Sequence, residues 1–364
     1  FSYIGMQSQA HAVSAKTGTL NVRLVSDAAL IDEVVVVAYG TRKKGTIAGA
    51  VSTVKAEKLE NVPAAGFDQS LQGQTPGLSV ISNSGEPSKA AVFQIRGTNS
   101  INSGTAPLFI LDGVPISSAD FNTISPGDIE SISVLKDASS TSIYGARAAN
   151  GVVVITSKRG LAMDKAKVTL RGQWGFSQLA SDDNWMMMNT PERIQFEKEI
   201  GLDTGKDYNL LSRTDINWLD KVFNDRAPLQ SYELSVNRAT DRLNYYVSGG
   251  FYDQDGIAQS STFRRYNMRA NVDLDVTKTT VLRLNVGGFL QTHRKQAFST
   301  DNAFDRAFMT SPFVHPARYS DGTIPIMNIN GVNPWAAVTQ SGYDVVTASQ
   351  IQSLFAVEQN LKMI

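Results

Sequence analysis

Between residues 161 and 364, hydrophobic residues fall on every second position over long stretches. From Tyr266 to Val276, the residues Tyr266, Met268, Ala270, Val272, Leu274 and Val276 share one side, and Asn267, Arg269, Asn271, Asp273 and Asp275 share the other. Strand side chains alternate between faces, so this is a strand with one apolar and one polar face. The period recurs in Val168-Leu170-Gly172-Trp174-Phe176, in Tyr232-Leu234-Val236, in Leu243-Tyr245-Val247-Gly249-Phe251 and in Leu282-Leu284-Val286-Gly288-Leu290. A weaker sixth strand spans residues 351–363. Such alternation fits a soluble antiparallel sandwich as well as an outer-membrane barrel. The connections favour the barrel: they are short at Ala239-Thr240-Asp241 and Thr277-Lys278, intermediate over 253–261, and long over 178–229 and 293–348. The long ones share one end, which is the habit of outer-membrane barrels. Barrels with plugged lumens have about 22 strands, so many more are expected beyond Ile364.

The remaining chain reads differently. Residues 1–30 read as the end of a small β domain, residues 31–46 as a β-rich linker that is acidic and then basic, and residues 47–160 as a compact α+β domain. Asp112-Gly113 is a hairpin-turn pair. Gly97 follows Arg96 at a strand end, Gly145 is placed to end a short helix over 138–144, and Gly151 permits a positive φ before Val152. Arg96 is read as a structural ion-pair partner, with a plug–wall contact as the alternative. Thr190-Pro191-Glu192 starts a helix that Gly201 stops. The chain begins at Phe1 without Met or signal peptide and reads as a piece of a longer protein.

Composition narrows the chemistry. Lys+Arg is 34 and Asp+Glu is 34, so the formal charge is zero and the basic surplus of a nucleic-acid partner is lacking. Cysteine is absent, which excludes disulfides, thiolate metal sites and thiol nucleophiles within these residues. His11, His293 and His315 are scattered, and no metal site is expected. The longest apolar run, Val34-Val35-Val36-Val37-Ala38-Tyr39, is far short of the ~20 residues of a spanning helix. No nucleophile elbow, phosphate loop, dinucleotide fingerprint or H-E-x-x-H motif occurs, so no catalytic residue, no cofactor and no enzyme activity are expected. Asp253-Gln254-Asp255-Gly256 lacks the later glutamate of a calcium loop and reads as a turn. Asp182-Asp183 reads as a capping loop, and Met186-Met187-Met188 as loop packing. Trp185, Trp218, Tyr319, Trp335 and Tyr343 fall in the long connections, either to stack on a ligand or to pack a lid.

Several segments resemble a known family. Asp32-Glu33-Val34-Val35-Val36-Val37-Ala38-Tyr39-Gly40 resembles the TonB-box region of SusC-like TonB-dependent transporters of Bacteroidetes-type bacteria. Ser70-Leu71-Gln72-Gly73, Ile95-Arg96-Gly97-Thr98-Asn99, Pro107-Leu108-Phe109-Ile110-Leu111-Asp112-Gly113-Val114-Pro115, Asp128-Ile129-Glu130-Ser131-Ile132 with Val134-Leu135-Lys136-Asp137-Ala138, and Ile143-Tyr144-Gly145-Ala146-Arg147-Ala148-Ala149-Asn150-Gly151-Val152 are similar to its plug motifs. Asp215-Ile216-Asn217-Trp218-Leu219-Asp220 and Gln230-Ser231-Tyr232-Glu233-Leu234 extend the likeness into the barrel, and residues 1–30 resemble the end of a carboxypeptidase-regulatory-like domain. Ala38 stands where the family commonly has Gly, and Asn237-Arg238 where it often has Gly-Gly.

The resemblance implies an α+β plug domain inside a transmembrane antiparallel β-barrel of the outer membrane, surrounded by its lipid. It implies active import of oligosaccharides, or in some members oligopeptides, under a SusD-like surface lipoprotein. TonB, energised through ExbB/ExbD, would grip Asp32, Glu33, Val34, Val35, Val36, Val37, Ala38 and Tyr39. A β-branched run bounded by charge suits addition to another sheet edge, although by itself it equally reads as a buried strand. Arg96, Gly97, Asp112, Gly113, Lys136, Asp137, Tyr144, Gly145, Asn150 and Gly151 are its plug-motif residues here. A transporter that also signals to a sigma-factor system and a non-transport surface adhesin are the competing readings.

Overall fold

The structure is a computed structural model. It describes residues 34–37, 40–43, 51–55, 70–81, 86–87, 89, 91–95, 97, 105–137, 141–179, 187–296, 300–313, 318–325 and 333–360. The expected β domain over residues 1–30 lies outside them.

The N-terminal half is built around a five-stranded sheet. Its strands are β3 (Val51–Lys55), β6 (Leu108–Leu111), β7 (Val114–Ile116), β8 (Ile129–Leu135) and β9 (Val152–Ser157), in the order β3-β8-β9-β6-β7. The central β9 pairs parallel with β6 and antiparallel with β8. Both of its faces are covered, which explains its unbroken Val152-Val153-Val154-Ile155 run. A separate hairpin of β4 (Leu78–Ile81) and β5 (Val92–Ile95) packs on the sheet. Phe93, Phe109 and Phe121 close this core, with ring centroids 4.6–5.3 Å apart. Phe121 ends the one-turn helix α1 (Ser118–Phe121), which Ser117 and Asp120 start with a reciprocal capping box. At the β6–β7 turn, Asp112 (φ 48) and Gly113 (φ 89) are both left-handed, as a two-residue hairpin turn requires.

The second half is one six-stranded antiparallel sheet, each strand paired with its neighbours in sequence. The strands are β10 (Lys167–Ser177), β11 (Ala227–Ala239), β12 (Leu243–Asp255), β13 (Thr262–Asp275), β14 (Thr280–Gln296) and β15 (Tyr343–Gln359). The sixth strand therefore begins earlier than its alternation showed, and Tyr343 opens it rather than lying in a loop. Asp253 and Asp255 belong to β12 and not to a turn, and Asp253 pairs with Arg264 of the next strand at 3.2 Å.

The burial of this sheet is inverted relative to a soluble sandwich. The apolar face is the exposed one: Leu170 is 76% exposed, Ile351 73% and Trp174 70%. The polar face is covered: Tyr246 and Asn271 are 0% exposed and Arg265 3%. The apolar face of β13 runs from Tyr266 to Leu274, and Val276 extends it just past the strand's end. Ten residues at ~3.4 Å each, tilted by ~40–45°, give a band of roughly 25 Å, the height of a barrel's lipid-facing belt. Among the described residues no helix is long and apolar enough to cross a membrane, which says nothing of strands.

At the end opposite the short turns, the long connections fold together. Helices α2 (Thr190–Glu199), α3 (Tyr208–Leu211), α4 (Trp218–Val222), α5 (Thr300–Met309) and α6 (Pro334–Thr339) lie in them. Trp218, Leu219, Val222, Phe223, Ala307 and Val338 form one buried cluster that unites α4, α5 and α6. The α2 N-cap is Asn189 and not Thr190: its side chain takes the Glu192 amide while Glu192 returns the bond to the Asn189 amide. Gly201 (φ 71) ends the helix as expected.

Candidate functional site

The two sheets meet through a polar interface, and its geometry makes it the candidate site. Asp128 follows a Pro126-Gly127 turn and is 3% exposed. Its side chain reaches wall residues: Tyr246 donates to Asp128 Oδ1 at 3.1 Å, and Ser248 donates to the same oxygen. Arg269 Nε stands 3.8 Å from Asp128 Oδ2, and Arg269 Nη1 stands 4.0 Å from Asp112 Oδ2. Arg269 is thus a buried cation between two plug carboxylates. Asp112 is held in place by the Ser157 amide at 2.9 Å and the Ser157 hydroxyl at 2.6 Å.

Further fastenings follow along the chain that leaves β9. Asn271 donates to the Ser157 hydroxyl at 2.9 Å and to the Lys158 carbonyl at 2.8 Å. Arg159 pairs with Asp273 at 2.6 Å, and the Gly160 amide donates to Asn244 at 2.6 Å. On β11, Glu233 accepts from Ser125 at 3.2 Å. On β13, Arg265 donates to the Asn122 carbonyl at 3.1 Å. Two glycines permit the close approach. A Cβ on Gly127 would lie 1.8 Å from Glu233 Oε2, and one on Gly160 would lie 2.2 Å from the Arg238 carbonyl. Buried charges in this layer are compensated by partners from the facing layer, so separating the layers would strand them. The arrangement fastens the two sheets together through hydrogen bonds and ion pairs. Among the described residues no group of metal-ligating side chains occurs.

The segment expected to engage a partner is described only in part. Val34–Val37 is strand β1, and it is paired in a hairpin with β2 (Gly40–Lys43) rather than standing alone. Asp32, Glu33, Ala38 and Tyr39 lie outside the described residues, as do Arg96, Trp185, Asp182 and Asp183.

Sequence comparison agrees with this architecture. The profile of the TonB-dependent Receptor Plug Domain family matches residues 43–152. TonB-dependent receptor P3 of Formosa agariphila is 32% identical over 353 residues, covering 94% of this chain and 34% of that protein. TonB-dependent receptor SusC of Bacteroides thetaiotaomicron is 34% identical over 278 residues, covering 74% of this chain and 27% of that protein. The RagAB peptide importer in its open-open state is similar in structure, with a TM-score of 0.75 and 27% identity over 90% of this chain and 41% of that one.

The chain belongs to the SusC-like TonB-dependent receptors. It spans about a third of the length of the curated relatives it matches.

Within this receptor the sequence-named plug residues divide by task. Lys136 donates to Ser52 at 2.6 Å and to the Pro76 carbonyl, so it clamps edge strand β3 and the turn before β4 onto β8. Asn150 donates to the Ala106 carbonyl at 3.4 Å, and Tyr144 packs on the inner cluster of Ile110, Leu135 and Val154. The Asp137 carbonyl accepts from the Thr141 amide. Gly151 (φ 93) is left-handed as expected, and Gly97 (φ 91) is left-handed too. Gly145 (φ 69, ψ −159) leaves the helical conformation between two 3-10 turns within Ser142–Ala148 and so ends the first of them, as expected. Of the candidate ligand contacts, Trp218 is corrected: it is 1% exposed, and its indole donates to the Ser311 carbonyl at 3.0 Å. Trp335 also packs against the loop cluster, whereas Tyr319 is 47% exposed.

The fastening residues Asp128, Glu233, Tyr246, Ser248, Arg269 and Asn271 were not singled out from sequence. The available signal was charge on the covered face of β13, where Arg265 and Arg269 alternate with exposed Tyr266 and Met268. That face reads as the solvent side until the layer lying on it is known.

Proposed function

We propose that this receptor imports nutrients too large for open pores across the outer membrane. The six strands form part of the barrel wall, and the five-stranded domain is the plug that closes its lumen. TonB, energised through ExbB and ExbD, pulls on residues 32–39 and displaces part of the plug. The observation that carries this reading is the layered polarity: an apolar outer face, a polar inner face, and a separate domain bolted to the inner face by Asp128, Ser157, Arg159 and Gly160. A partition that only blocked the lumen could be a fused wall. This one is a separable domain with its own core, joined to the wall by polar contacts that a pull can exchange for water.

The substrate class we propose is oligosaccharide, captured under a SusD-like surface lipoprotein. A second reading, oligopeptide import, is supported by the structural likeness to the RagAB peptide transporter at 28% identity and a TM-score of 0.69. Purification of the full-length protein in mild detergent from native outer membranes, with mass spectrometry of what stays bound, separates them. Trapped glycan with a surface lipoprotein supports the first reading and trapped peptide the second. A soluble protein without ligand would overturn both.

A further inference from the structure

Strand β1 is the segment on which the partner would pull, and in this structure one of its edges is already taken. It pairs antiparallel with β2 along its whole length: Val34 with Lys43, Val35 with Arg42, Val36 with Thr41 and Val37 with Gly40. Among the described residues the two strands form a sheet of their own. A two-residue connection closes on a hydrogen-bonded pair, and bonded and non-bonded pairs then alternate along the ladder. The main-chain N–H and C=O groups of Val37 and Val35 therefore point at β2, and those of Val36 and Val34 point away.

Two further observations bear on which edge a partner can use and how firmly β2 holds it. Part of β1 comes within 8 Å of β9, the central strand of the plug sheet, measured between Cα atoms. A strand inserted between them would need two strand spacings, ~9.6 Å, so an incoming strand reaches β1 on the edge that β2 now fills. The hold of β2 is weak by construction. Only Ala38 and Tyr39 connect the strands, and two-residue hairpin turns favour Gly, Asn or Asp, which accept positive φ. A two-stranded hairpin is marginal on its own even with a good turn. What favours this one is its open end, where the register brings the acidic approach to β1, Asp32-Glu33, beside the basic close of β2, Arg42-Lys43.

We propose that β2 is a clasp on the coupling segment: it fills the edge of β1 that the partner's strand takes, and the partner binds by strand exchange, replacing β2 on Val35 and Val37. The proposal rests on the TonB reading and adds its regulation, since residues 40–43 set how often β1 is available. A clasp closed about nine-tenths of the time lowers the partner's apparent affinity about tenfold.

The test uses the full-length protein in detergent, cleared of any cysteine outside these residues, with the immobilised periplasmic domain of TonB as probe. Val36→Cys with Thr41→Cys locks the clasp: a non-bonded antiparallel pair stands ~4.5 Å apart at Cα, within the span of a disulfide. Arg42→Pro opens it, because proline removes the β2 donor that faces Val35 and leaves β1 unchanged. The clasp predicts that the oxidised lock binds the probe at least tenfold more weakly than the same protein after reduction. It predicts that Arg42→Pro binds at least threefold more tightly than the unmodified protein, and that adding Val35→Pro to it returns binding to background. Equal binding by the oxidised and reduced lock, or no gain from Arg42→Pro, overturns the clasp alone, provided the unmodified protein binds. Absence of binding by the unmodified protein and by Arg42→Pro overturns the TonB reading and the clasp with it.

Discussion

Asp128→Ala is the sharpest probe of the bolted seal. The Asp128 carboxylate faces the wall: it accepts from Tyr246 Oη at 3.1 Å and from the Ser248 hydroxyl, and Arg269 Nε stands 3.8 Å away. Truncation leaves the plug's own backbone pairing intact, since the Asp128 amide and carbonyl bond to Ser125 and Lys158. Its effect therefore falls on docking. Removing one member of a buried charge pair costs about 3–5 kcal/mol, because the remaining charge is left without its counter-ion. Part of that is recovered here, as Asp112 still stands 4.0 Å from Arg269. At ~1.4 kcal/mol per tenfold the full cost is roughly two to three and a half orders of magnitude, and with part of it recovered the undocked fraction should rise by about one to three. A cysteine at Ser235, on the covered face of β11 and 8% exposed, reports that fraction. Its labelling by a bulky maleimide requires the plug to lift. The assay compares labelling rates of Ser235→Cys with and without Asp128→Ala, and a cycle with Ser248→Ala isolates the pairwise part. A rate change below tenfold would refute the reasoning and show that the plug is held elsewhere.

Other consequences follow from the same geometry. Gly160→Ala places a methyl 2.2 Å from the Arg238 carbonyl, a backbone atom that cannot step aside, so the assembled, heat-modifiable barrel should fall in yield several-fold on gels. Lys136→Met removes the clamp on β3 at Ser52 and Pro76, and limited proteolysis should cut before β4 about tenfold faster while the wall stays intact. In the outer loops, burial raises the pKa of Glu197, but hydrogen bonds from Lys206, Arg193 and Tyr208 outweigh it and hold the carboxyl below its ordinary value. A depressed carboxyl contributes stability above its unfolded pKa of about 4.3 and loses it as pH falls through the lower folded value. The amide protection factors of residues 190–211, that is, exchange corrected for its intrinsic pH dependence, should therefore be steady from pH 8 to about 5 and fall below about 4.

The strands of the wall were legible because lipid on one face and a packed layer on the other impose a strict period of two. Tyr266 to Leu274 carries it without a break, and the hairpin at Asp112-Gly113 was legible from turn chemistry alone. The role of the polar face was not. Arg269 and Asn271 look like surface residues in one dimension, and only the plug lying over them makes them buried partners. The outer loops misled for the same reason. Trp218 lies in a polar stretch, yet Ala307 and Val338, far away in sequence, come together over it. The start of β15 was missed because Tyr343 to Thr347 lacks clean alternation, while pairing with the long β14 fixes it as strand.

The central claim is that a pull on β1 drives import, and Val35→Pro tests it most directly. Proline removes a strand donor from Val34–Val37 without touching the barrel. With full-length protein in native cells, and a fluorescent casein digest and a fluorescent maltodextrin mixture as probes, the account predicts surface binding at the wild-type level and energised uptake reduced to background. Uptake that continues at the wild-type rate would contradict it.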